Sequence, residues 1–123
     1  MQMRVQPLSV AEAAAAYDRL DVLWRQADEW CRVLEDAFLA VLDGHTAVGV
    51  RLNAAIKPML SGDPPAEDLD GLWAEEKALS AQMRAVTACR RAAAKRRAAV
   101  YAALQVADRA EAQALARARR DMA

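Results

Sequence analysis

The sequence predicts an all-α fold: an antiparallel hairpin of two long, coiled-coil-like helices, dimerising into a four-helix bundle. Three observations carry this prediction. One apolar seam runs unbroken for seven heptads, a second repeat of seven follows a single strong turn, and the charges become complementary only when the chain folds back at that turn. Composition agrees, with 55% hydrophobic residues, 28% charged, and only four Gly and four Pro in 123 residues, the balance of a helical protein large enough for one domain.

The first helix is predicted over 9–60. Ser9-Val10-Ala11-Glu12 is a capping box, in which the serine hydroxyl and the glutamate carboxylate can each satisfy the other residue's amide. Alternating steps of three and four then land on Val10, Ala13, Tyr17, Leu20, Trp24, Ala27, Cys31, Leu34, Phe38, Val41, His45, Val48, Leu52, Ala55 and Met59, and only His45 is not apolar. Leu23, Trp30 and Ala37 widen this seam on one side, and Asp21, Asp28 and Glu35 line the other flank. So broad an apolar face suits a bundle better than a bare two-stranded coil. Gly44 and Gly49 allow a bend, or a break that would give a monomeric bundle of shorter helices. The seam nevertheless passes both in register, so continuity is expected. Residues 1–8 are expected to be a flexible lead-in.

A turn is predicted over 61–65. Pro58 lacks an amide, and Ser61-Gly62-Asp63-Pro64-Pro65 is dense turn chemistry. The second helix is predicted over 64–122, with Asp63 as its cap and Pro64 at its first position. Leu72, Leu79, Val86, Ala93, Val100, Ala107 and Ala114 recur every seven residues along it. Between Thr87 and Ala99 the apolar residues are only alanines and Cys89, so two helices could approach closely there.

Net charge is zero but unevenly distributed: residues 1–83 carry 14 acidic and 7 basic groups, residues 84–123 carry 3 and 10. Folding near residue 62 sets residue i opposite roughly 124 − i, so acidic residues 9–43 meet basic residues 81–115. The specific expectation is Glu35 beside Arg90 and Asp28 beside Arg97. Such exposed pairs set orientation more than stability.

Several function classes find no support. The ten uncharged residues from Ala98 to Ala107 fall short of the ~20 that cross a bilayer, and the start of the chain shows no secretory pattern, so a cytoplasmic protein without membrane contact is expected. Cys31 and Cys89 are too few for a zinc site and are expected to be core residues. No glycine-rich phosphate loop, nucleophile motif or metal-ligand spacing occurs. Adjacent carboxylates such as Glu75-Glu76 point to different sides of a helix and read as a solvated face. The expectation is a non-catalytic protein without cofactor or metal.

The candidate site is therefore a surface. Leu23, Trp24, Trp30 and Phe38 are candidate anchors for a protein partner or a second copy of the chain. Arg90, Arg91, Lys95, Arg96 and Arg97 form the alternative, a basic face for nucleic-acid phosphates. His45-Thr46-Ala47-Val48-Gly49 resembles the phosphoacceptor segment of histidine phosphotransfer domains, with Val48 where that family usually has lysine. That resemblance implies His45 as a phosphoacceptor. The stretch from Leu60-Ser61-Gly62-Asp63 through Asp68-Leu69-Asp70-Gly71-Leu72-Trp73-Ala74-Glu75-Glu76-Lys77-Ala78-Leu79 to Arg90 resembles the hairpin region of flagellar export chaperones of the FlgN type. It implies a chaperone or assembly adaptor that holds a partner helix against an apolar face.

Overall fold

A computed structural model describes residues 7–123; most of the predicted flexible lead-in, residues 1–8, lies outside the described residues. The protein is all-helical, with two long helices packed against each other as a hairpin: α1 over Val10–Ile56, a short 3-10 turn over Lys57–Ser61, and α2 over Leu69–Asp121. The capping box forms as expected, the Glu12 amide donating to Ser9 Oγ at 3.2 Å and the Ser9 amide to Glu12 Oε1 at 3.4 Å. α1 continues without interruption through Gly44 and Gly49.

The first helix gives way earlier than predicted. Pro58 cannot donate the amide that an α-turn needs, so the chain tightens into a 3-10 turn from Lys57 and is stopped by Gly62, whose φ of 84° and ψ of 7° are left-handed. The Gly62 amide donates to Met59 O and the Asp63 amide to Pro58 O, both at 3.1 Å. The predicted start of the second helix at Asp63-Pro64 is corrected: α2 begins at Leu69. Pro65 disfavours helical geometry at Pro64, and the cap falls instead to Asp68, whose Oδ1 accepts from the Asp70 amide at 3.2 Å.

Two compact units divide the chain: one built from the described residues up to Cys31 together with Ala93–Ala123, the other from Arg32–Ala92. In the second unit Val48, Leu52, Ala55 and Leu72 are buried, with Leu69 and Leu79 packed against them. In the first unit the buried residues are all alanines, Ala13, Ala27, Ala107 and Ala114. Fourteen of the fifteen predicted seam positions are buried or half-buried; Met59, in the 3-10 turn, is exposed. Of the two cysteines expected in the core, Cys31 is half-buried but Cys89 is exposed, because it lies off the seven-residue repeat of α2.

Candidate functional site

In the first unit, Trp24 and Trp30 end up on different sides of the helix pair, because six residues separate them along a 3.6-residue helix. Trp24 is half-buried and, with Asp28, Ala94, Arg97, Ala98 and Tyr101, lines a groove of about 290 Å³. Arg97 Nη1 donates to Asp28 Oδ1 at 3.2 Å, the pairing expected from the sequence. On the other side Leu23 and Trp30 line a groove of about 430 Å³ with Arg25, Gln26, Ala27, Glu29 and Arg96. Trp30 is 62% exposed and Leu23 42%. The interior beside them is alanine, too shallow to draw in an indole ring. The acidic flank of α1 turns toward α2, and the Leu23–Trp30 flank turns outward.

Glu29 and Arg96 stand on the same groove and form no ion pair or hydrogen bond with any described residue. The basic face is otherwise divided. Arg97 belongs to Asp28, while Arg91 and Lys95 are exposed.

In the second unit, Arg90 lies over the Phe38 ring, 4.0 Å from its centroid, and donates through Nη2 to Glu35 Oε2. Phe38, a candidate anchor, is thus engaged within the hairpin. Arg51 reaches from α1 to Glu67 at 2.8 Å and to Glu75 at 3.6 Å. The hydrogen bond, then Coulombic attraction, raises the guanidinium's pKa, and the same hydrogen bond lowers that of Glu67.

His45 sits in the seam, where its Nε2 is 3.1 Å from Glu76 Oε1 and 3.2 Å from Ser80 Oγ. Ser80 also donates to Glu76 Oε1 at 2.9 Å. That hydrogen bond, followed by the one from His45, holds the Glu76 carboxyl below the usual carboxylate range. Nε2 donates to Glu76 in one imidazole tautomer and accepts from Ser80 in the other, so a single proton position cannot serve both contacts. The same carboxylate repels an incoming phosphoryl group at Nε2. Sequence reasoning missed Glu76 as a seam residue, although it lies seven residues from both Leu69 and Met83. Among the described residues no group of three or more His, Cys, Asp or Glu side chains could hold a metal ion, and no helix is long and apolar enough to cross a membrane.

Compared with protein-family models, curated proteins and solved structures, the chain matches none.

Proposed function

We propose that the protein is a non-catalytic helical interaction protein, working in the cytoplasm as an adaptor, assembly factor or chaperone-like holder. It offers the Leu23–Trp30 face of α1 to a partner helix. The observation that carries this reading is Trp30, 62% exposed beside an exposed Leu23 at heptad spacing. A large apolar side chain left in water forgoes roughly 2 to 3 kcal/mol of burial, and tryptophan is the residue most enriched among interface anchors. The 3.5-residue seam supports coiled-coil packing of α1 on α2, which leaves the flanking Leu23–Trp30 track for association. Trp24 and Phe38 then act by shaping the hairpin rather than by meeting a partner.

The test is a photoreactive phenylalanine in place of Trp30, irradiated in cells, with the same group at the exposed Arg84 as the control. An adduct larger than the single chain is expected from position 30 alone. If position 30 yields no adduct beyond those formed from position 84, the reading is removed.

A second reading is nucleic-acid association. It is favoured by the exposed Arg91, Lys95 and Arg96, which have no partner among the described residues, although Arg90 and Arg97 are engaged by Glu35 and Asp28. Three phosphate contacts would give a slope of about −3 in log affinity against log salt. No binding to duplex DNA or single-stranded RNA at low salt excludes it.

A further inference from the structure

The Leu23–Trp30 groove has a chemistry of its own beyond being apolar. On the α1 side stand Ala16, Leu23 and Trp30, one heptad apart. On the α2 side Arg96 lines the groove, and Ala99, Ala103, Val106 and Ala110 continue from it along the same helix face at i, i+3, i+7 spacing. Ala99 and Val106 are exposed, the latter by 60%, and Ala103 and Ala110 are half-buried. The two largest apolar side chains of the face, Leu23 and Trp30, thus stand on α1, and three of the four apolar residues on the α2 side are alanines. The register of this unit, fixed by Arg97 on Asp28 and by Arg117 Nη2 donating to Leu8 O, sets Arg96 level with Glu29. Of the three charges that line the groove, Arg25 is taken up by Asp21 at 3.0 Å, whereas Glu29 and Arg96 are not paired among the described residues.

We propose that the occupant of this face is a second copy of the chain, related by a two-fold axis parallel to the helices. The proposal rests on the reading of Leu23–Trp30 as an interaction face and specifies its partner. Rotation about such an axis keeps every residue at its own level and exchanges left for right, so α1 of one copy lies over α2 of the other. Three complementarities follow together. Trp30 and Leu23 of each copy meet the alanine wall of the other, large against small, as close packing requires. Glu29 of each copy meets Arg96 of the other at the same level, giving two equivalent ion pairs, as an isologous interface demands. Leaving aside Asp28 and Arg97, which pair within each copy, the described α1 segment of this unit, with four acidic and two basic residues, faces an α2 segment with six basic and three acidic. A two-fold axis across the helices would instead bring Arg96 toward Arg96 and α1 toward α1, like charge on like. In the parallel arrangement every helix is antiparallel to the neighbours it touches, so the helix dipoles also agree.

The experiment is sedimentation velocity on the wild type and on Glu29→Arg and Arg96→Glu, alone and mixed. The wild type is expected to dimerise. Each single variant places like charges at both pairs and should weaken the dimer by roughly a hundredfold, since such juxtaposition costs several kcal/mol. An equimolar mixture restores both pairs, because the two arginines of the Glu29→Arg copy then face the two glutamates of the Arg96→Glu copy, and it should form a heterodimer. Recovery on mixing also shows that each variant is folded. A wild type that stays monomeric at all concentrations, or variants that fail to rescue each other, overturns the proposal. A monomer whose photoreactive residue 30 captures a different protein overturns the second copy while sparing the interaction face; a monomer that captures nothing removes both.

Discussion

The guanidinium of Arg90 rests 4.0 Å from the centroid of the Phe38 ring while donating to Glu35. One side chain on α2 thereby grips two on α1, a ring by its face and a carboxylate by its charge. A lysine at position 90 would keep the charge and lose the planar stack. Arg90→Lys is therefore expected to destabilise the fold by about 0.5 to 1 kcal/mol, read by urea denaturation. A double-mutant cycle with Phe38→Leu should show coupling of similar size. Zero coupling would mean that the stack contributes nothing in solution.

The glycines respond in opposite directions. Gly49 lies in mid-helix with open space where a Cβ would go, and a Cβ at Gly44 would make an ordinary contact with Leu79 at 3.6 Å. Gly49→Ala and Gly44→Ala should each stabilise the protein by up to about 1 kcal/mol. Gly62, at φ 84°, should lose about 1 to 2 kcal/mol as alanine, because a side chain resists the left-handed region. Thermal melts of the three variants check this, and a gain at position 62 would mean that the turn adopts another conformation.

Stability should divide along the chain by what is buried. Leu52 and Leu72 are 6% and 3% exposed and form one cluster, so Leu52→Ala or Leu72→Ala should cost about 2 to 5 kcal/mol. Val50, two residues from Leu52 but 64% exposed, should change stability by no more than about 0.5 kcal/mol as alanine. Comparable losses at positions 50 and 52 would put the seam on the wrong face.

Acid sensitivity should trace in part to Glu76. Its folded-state pKa is lowered from the ordinary 4.5, mainly by Ser80 and next by His45. A carboxylate depressed in this way contributes stability that is complete above its unfolded pKa and is lost as pH falls through the folded value. Ser80→Ala should therefore raise the Glu76 pKa more than His45→Ala does, and Glu76→Gln should flatten the dependence of stability on pH below about 4.5. Carbon-detected titration of the Glu76 carboxyl measures the order directly; a larger effect from His45 would reverse it.

Much of this arrangement was legible in the residues. The seam from Val10 to Ala55, the Ser9–Glu12 box and the pairs Glu35–Arg90 and Asp28–Arg97 follow from helical spacing and charge balance, which act along the whole length of an element. The start of α2 was not legible, because Asp63-Pro64 and Asp68-Leu69 are both capable caps and only the steric effect of Pro65 on its predecessor separates them. Glu76 was obscured by Glu75 beside it: as a pair they read as solvated, while the position of Glu76 between Leu69 and Met83 puts it in the seam. The candidate anchors were drawn from both the seam and its flank. Heptad position then separated them, since Trp24 and Phe38 lie on the seam itself, whereas Leu23 and Trp30 lie one position to the side, where an alanine interior cannot cover them.

The most direct measurement is iodide quenching of Trp30 fluorescence, in a variant with Trp24→Phe and Trp73→Phe, over a range of protein concentration. Efficient quenching is expected in dilute solution, falling as the protein is concentrated and a second copy covers the ring. A Trp30 shielded even at the highest dilution would place it inside the hairpin, and one equally quenched at every concentration would show a face that no second copy covers; either result contradicts this account.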